Sequence, residues 1–512
     1  MYKLAGLDAA FLYAETERSP QHIASIQVVE PPQGVPTAEL VERFRATVAA
    51  RVHLVPYFTN RLQFSPLNLD HPVWVRDPDF DIAHHVIEYP VPAPGGRAEV
   101  EAAIAELHAV PLDRNRPLWQ IWVLTGIQGG RIAYYNRVHH ACLDGVSGQA
   151  AVRAVLDGTP EGDAVAAPEA DFAVRPSAES FGNLLLGAFQ NVARYQFRQA
   201  SRWFDHIDTG VRLLQRAMDP SKGLGAAVET APPTRFNRAV TRQRTYATGE
   251  MPVADVKAIG KVTGTTLNDV FLAICSGGLR RYLGRLDELP SRSLIAGCPV
   301  SLRRPDDKSL NNQVTLMQVS FATDEADPVK RLLKIARSSI QAKGLVADVA
   351  GSYDTDVALP GLPGLVNSAA RLVERTGLAN NPAVVPFNMV ISNVPGPRET
   401  LYSLGGRVLT HYPVSIPAHG QAVNITVQSY AGYLFFGVTG CARVLPDAQR
   451  FRDDLLEAYA ELVESVLGVK APEVTAGAAL PILIPMPKRE RAPAAVGESR
   501  LAALGSHPAE AA

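Results

Sequence analysis

With 512 residues, 46% hydrophobic and 20% charged, the chain has the balance of a globular protein and is long enough for two cores. Fifty Lys and Arg against 51 Asp and Glu leave a net charge of −1, so no global field selects nucleic acid or an anionic surface. The cysteines (Cys142, Cys275, Cys298, Cys441) have no CxxC spacing, so neither a zinc site nor a disulfide framework is indicated. No apolar run approaches the roughly 20 residues of a membrane span, and Asp8 and Glu15 break any secretory segment near the start. A cytoplasmic protein is expected, with any membrane contact peripheral.

In chain order, residues 22–30 (HIASIQVVE) read as a strand and 37–50 as a helix with apolar residues at helical spacing. Trp74-Val75 is a second strand. After the Pro-Gly-Gly stretch at 94–96, residues 97–110 form an amphipathic helix. Strands at 121–124 and 132–136 flank a turn at Gly129-Gly130, and a helix is expected from near Ser147 to Val155. Composition shifts to Gly, Pro, Ala and acidic residues over 157–176, which reads as a linker. Residues 180–218 are strongly helical, with Leu185, Phe189, Trp203 and Leu214 on an apolar face and Arg194, Arg198 and Arg202 as a basic ladder. This helix is either a crossover packed between two domains or an interfacial helix touching lipid. The strand–helix mixture resumes over 242–469, with helices at 266–283, 328–343 and 447–467 and strands at 294–300 and 313–321. Strands at 423–430 and 434–438 form a hairpin through Ala431-Gly432. The expected division is residues 1–160, a linker and long helix over 161–240, a second unit over 241–470, and a disordered Ala/Pro-rich tail over 471–512.

Chemistry concentrates in the run Arg137-Val138-His139-His140-Ala141-Cys142-Leu143-Asp144-Gly145. A strand delivers two adjacent imidazoles to its end, a rigid yet reachable place for a base. Neutral imidazole accepts a hydroxyl proton near pH 7. Other classes fit less well. A metal site from His139, His140 and Asp144 needs a further ligand, and there is no HExxH. Gly145-Val146-Ser147-Gly148-Gln149 misses the last Gly of a serine hydrolase elbow, and neither a P-loop nor a GxGxxG after a strand is present. The second adjacent pair, His84-His85, lacks the following Asp-Gly and reads as structural.

Six blocks then carry a resemblance. They are Leu7-Asp8-Ala9-Ala10-Phe11-Leu12 with Glu15, Pro20 and His22; Pro111-Leu112-Asp113-Arg114 leading to Pro117-Leu118-Trp119; the His139–Gly145 run; Asn268-Asp269; Pro299-Val300-Ser301-Leu302-Arg303; and Ser392-Asn393-Val394-Pro395-Gly396-Pro397. In this order they resemble the bacterial wax ester synthase/acyl-CoA:diacylglycerol acyltransferase family. Gly440-Cys441 departs from the pattern, which leads one to expect an Asp there.

The resemblance implies a mixed α/β fold, with two CoA-dependent-acyltransferase-like lobes joined by a helical crossover and a channel between them. It makes His140 the general base, with acyl-CoA as co-substrate, diacylglycerol or a fatty alcohol as acceptor, and neither metal nor cofactor. His139 and Gly145 complete the motif, and Asp144 structures the loop by pairing with Arg303. Pro117, Leu118, Trp119, Asn268, Asp269, Ser392 and Asn393 are candidate substrate-binding residues, with core packing the alternative for Pro-Leu-Trp and helix capping for Asn268-Asp269. Work on insoluble substrates implies peripheral attachment to the inner membrane face or to lipid droplets. The rivals are a condensation-type or polyketide-linked acyltransferase and a lipid-binding surface protein of low turnover.

Overall fold

The computed structural model describes residues 2–142, 151–165, 229–301, 314–349 and 385–471, with positions 182, 183, 216, 226, 372 and 376. The first half contributes β1 (Tyr2–Lys3), α1 (Gly6–Ala14), β2 (His22–Glu30), α2 (Thr37–Arg51), β3 (Asn60–Gln63), β4 (Val73–Arg76), β5 (Val86–Pro90), α3 (Arg97–His108), β6 (Trp119–Ile127) and β7 (Arg131–His139). The second contributes β8 (Arg244–Pro252), α4 (Val253–Thr263), α5 (Leu267–Arg285), β9 (Ile295–Ser301), β10 (Val314–Ser320) and α6 (Pro328–Val349). It continues with β11 (Met389–Val394), β12 (Tyr402–Ser403), β13 (Gly406–Val408), β14 (Tyr412–Val414), β15 (Val423–Tyr430), β16 (Tyr433–Cys441) and α7 (Ala448–Leu467).

Two large sheets organise these elements. The first runs β12-β13-β2-β7-β6-β5, with β14 also on β2, and the second runs β10-β9-β11-β15-β16-β8. Strand β7 lies between β2 and β6, antiparallel to both. Ile132, Ala133, Tyr134 and Tyr135 are buried in succession, as a strand covered on both faces requires. Phe44 of α2 stacks on Tyr134 at 3.9 Å, closing one face. In the second lobe α5 packs against α7. A Cβ at Gly278 would lie 2.6 Å from Leu455 Cδ2, so glycine there permits the close helix approach.

The expected strands and helices are present with small shifts. Residues 22–30 are a strand as read, Thr266 is the N-cap of α5 rather than its first residue, and β16 extends to Cys441. The hairpin turn falls at Ala431-Gly432, both with positive φ. Residues 151–155 are helical; the start of that helix, the 180–218 helix save for positions 182, 183 and 216, and the tail beyond 471 lie outside the described residues.

One difference matters. Strands β12 to β14 fall within the expected second unit, yet they complete the first sheet, with Val408 opposite Val29 and Tyr412 opposite Ile26. Each has only two or three residues, too few for an alternation to show in sequence. The lobes are therefore interleaved. They are also joined by buried polar groups: Arg97 of α3 pairs with Glu250 of β8 at 3.0 Å, and Glu101 accepts the Thr248 N–H at 2.7 Å. Tyr412 donates to the same Glu250 at 2.8 Å.

Candidate active site

The end of β7 is held from both sides by backbone bonds. His139 N–H donates to Leu118 O (2.9 Å) and His140 N–H to Gln21 O (2.8 Å). His140 then opens a 3-10 turn through Cys142. Its partly buried ring lies face to face with Phe11 of α1, centroids 3.9 Å apart and planes within 11°. Burial pushes the imidazole pKa down to about 4, outweighing a bond to its own backbone, and neighbouring His139 acts in the same direction. The ring is neutral near pH 7 and can take a proton.

His139 is wholly enclosed. Its Nδ1 accepts the Ala141 N–H at 3.1 Å, which leaves the ring proton on Nε2. That atom lies 3.3 Å from Glu15 Oε2, and the side chains are 0% and 5% exposed. Glu15 follows α1 directly. Its Oε2 also accepts the Gln21 N–H (2.9 Å), and Oε1 accepts Arg114 Nε (3.1 Å) and Nη2 (2.9 Å). Burial raises the carboxyl pKa, but the contact with His139, the Arg114 charge and the Gln21 N–H outweigh it and hold it at about 2. Glu15 was absent from the candidate residues. Its one signal in the sequence was membership of the first block, as Arg114 belongs to the second.

Other candidates separate. Pro117, Leu118 and Trp119 are buried, as the core-packing alternative for this block expects. Trp119 is 2% exposed, donates Nε1–H to Phe58 O at 3.0 Å and is stacked on Phe58 and His85. Leu118 contributes the carbonyl that anchors His139. Asp269 forms a reciprocal cap with Thr266: Oδ2 accepts the Thr266 N–H at 3.0 Å, and Thr266 Oγ1 accepts the Asp269 N–H at 3.2 Å. Asn268 is partly exposed and accepts from Asn393 Nδ2 at 3.3 Å, so these two candidates meet in the second lobe beside the partly exposed Ser392. Asp144, Gly145 and Arg303 lie outside the described residues. His85 is buried against Trp119 O at 2.8 Å, the structural part expected of it. Cys441 stands where an Asp was expected, with its sulfur 3.3 Å from both the Thr241 N and its hydroxyl.

Interleaved α/β lobes with a paired-histidine strand end define an acyltransferase of the two-lobed class. The solved fold includes the first condensation domain of a calcium-dependent antibiotic synthetase (TM-score 0.53, 16% identity, covering 92% of this chain and 97% of that one), a likeness of fold alone. The chain belongs to the wax ester synthase/diacylglycerol acyltransferase family. The family's catalytic-domain model matches residues 4–271 and the WS/DGAT C-terminal domain matches 310–463. A Mycobacterium tuberculosis protein named "Putative diacyglycerol O-acyltransferase" is 34% identical over 468 residues, covering 91% of this chain and 90% of its own. Another from that organism with the same description is 35% identical over 473 residues, covering 90% of this chain and all of its own. The wax ester synthase/diacylglycerol acyltransferase from Marinobacter aquaeolei VT8 matches in structure with TM-score 0.66 and 28% identity, covering 92% of this chain and 100% of that one.

Proposed function

We propose that the chain transfers a long-chain acyl group from acyl-CoA to diacylglycerol, a long-chain alcohol, or both, with His140 as general base. The observation that carries this reading is the neutral, Phe11-stacked imidazole at the end of a central strand. The acceptor hydroxyl gives its proton to His140 as its oxygen attacks the thioester carbonyl. The tetrahedral intermediate expels the CoA thiolate, which takes the proton back from the imidazolium. No acyl-enzyme forms, and the rate owes much to holding both substrates at one imidazole.

Asp144 pairs with Arg303 and orders the loop after the histidines. Asn268, Ser392 and Asn393 are the second-lobe groups suited to donating toward the developing oxyanion. No metal or other cofactor enters the scheme. Among the described residues no helix is long and apolar enough to cross a membrane. Attachment to the inner membrane face or to lipid droplets is assigned to the 180–218 helix and its arginine ladder. Offering radiolabelled acyl-CoA together with diacylglycerol and hexadecanol tests the reading. Labelled triacylglycerol or wax ester with matching CoA release is expected. Little CoA release from free acyl-CoA would favour a carrier-dependent enzyme, and copurified neutral lipid without turnover would favour a binding protein.

A further inference from the structure

The geometry points to Glu15 as a positioning residue of the acyl-transfer site, one that acts through His139 and never touches substrate. The inference rests on His140 being the base. His139 is the last residue of β7 and His140 the first of the 3-10 turn, and the contact that Glu15 makes is with the His139 ring. What Glu15 holds is the ring one residue earlier.

The argument turns on which atoms must accept. Ala141 N–H needs an acceptor at His139 Nδ1, which requires the ring proton to be on Nε2. Only an acceptor is tolerated beside that proton, and Glu15 Oε2 lies 3.3 Å from Nε2, an ion-pair contact without hydrogen-bond alignment. With the tautomer set, the Ala141 bond closes the backbone turn that carries His140. Arg114 holds the other carboxylate oxygen and also donates to Leu12 O at 2.8 Å, tying α1, which supplies Phe11, to the same carboxylate. Both walls of the His140 site therefore converge on Glu15.

The segment that carries Glu15 is tied to the second lobe as well. Arg244 of β8 donates to Arg18 O at 2.7 Å, and Ser19 Oγ donates to Pro417 O at 3.3 Å.

Glu15→Gln is the decisive substitution. Its single oxygen stays with Arg114, and its amide N–H₂ is presented to His139 Nε2. The imidazole proton is then driven to Nδ1, where it opposes the Ala141 N–H. Expected is a fall in kcat of about 10- to 100-fold, with KM for acyl-CoA within about threefold of the parent. His139→Asn completes the test, because its Oδ1 keeps the Ala141 bond while its shorter side chain no longer reaches Glu15. In that background only the Gln21 N–H contact of Glu15 is left to disturb, so Glu15→Gln should cost kcat at least about fivefold less than it does in the parent. A merely structural glutamate would cost the same in both backgrounds, and equal losses would overturn the proposal. So would parental kcat in Glu15→Gln. If Glu15→Gln does not fold, the same cycle is read with Glu15→Asp, which keeps the charge but withdraws it by one methylene. A His140→Ala control separates the claims: full activity there removes the base itself, whereas an inactive control beside a parental Glu15→Gln removes only the role of Glu15.

Discussion

His139 and His140 share a side chain and a neighbourhood, yet the fold gives them different work. One imidazole is sealed between Ala141 N–H and Glu15, and the other is stacked on Phe11. Burial holds His140 at about 4, so its base form persists well below neutrality. The acid limb of kcat/KM for acyl-CoA should accordingly lie near pH 4, with a plateau across pH 5.5–8 (about one to four units above that value). A limb at pH 6–7 would mean that an ordinary imidazole is titrating. The paired histidines were legible in sequence because their meaning lies in adjacent positions. Glu15 was not, because a carboxylate takes its role from partners, and His139 lies 124 residues away.

At the scale of elements, a candidate block can owe its place to local folding. Thr266 and Asp269 satisfy one another's backbone N–H groups at the start of α5, which accounts for Asp269 without substrate. Thr266→Ala should lower stability by about 1 kcal/mol and leave kcat unchanged. A clear kcat loss at unchanged stability would return this helix start to the chemistry. Long strands and helices were readable because their periodicity spans many residues: residues 22–30 and α5 came within a residue or two of their bounds. Strands β12 to β14 were hidden, since a pair of residues has no period and their register depends on the edge of β2. Pro117-Leu118-Trp119 was ambiguous for another reason. Apolar and aromatic residues suit a pocket wall and a core equally, and the packing of Trp119 is seen only in its burial and its bond to Phe58.

For the whole molecule, the interleaved sheets and the Arg97–Glu250 pair make the lobes interdependent. Removing one partner of a buried pair leaves an uncompensated charge, so Arg97→Ala should cost about 3–5 kcal/mol in denaturant unfolding. An unchanged unfolding midpoint and slope would show that the contact is dispensable. Burial also holds other histidines neutral: His85 and His411 at about 4, His108 at about 3, and His22 well below its ordinary value. Their folded pKa values lie below the unfolded value of about 6.5, so the unfolded chain binds more protons as the pH falls through that window. Their contribution is complete above pH 6.5 and is lost progressively toward pH 4. Glu15, held at about 2, adds no acid sensitivity until the unfolded carboxylate begins to titrate near 4.5. The melting temperature should therefore drop between pH 7 and 5, and a flat profile would contradict the buried neutral state.

The central claim is that His140 removes the acceptor proton. Steady-state CoA release by His140→Ala, with diacylglycerol and hexadecanol both supplied and folding verified by thermal unfolding, tests it directly. The account predicts a loss of about 10²- to 10⁴-fold in a protein that still folds. Parental CoA release by that variant would contradict it.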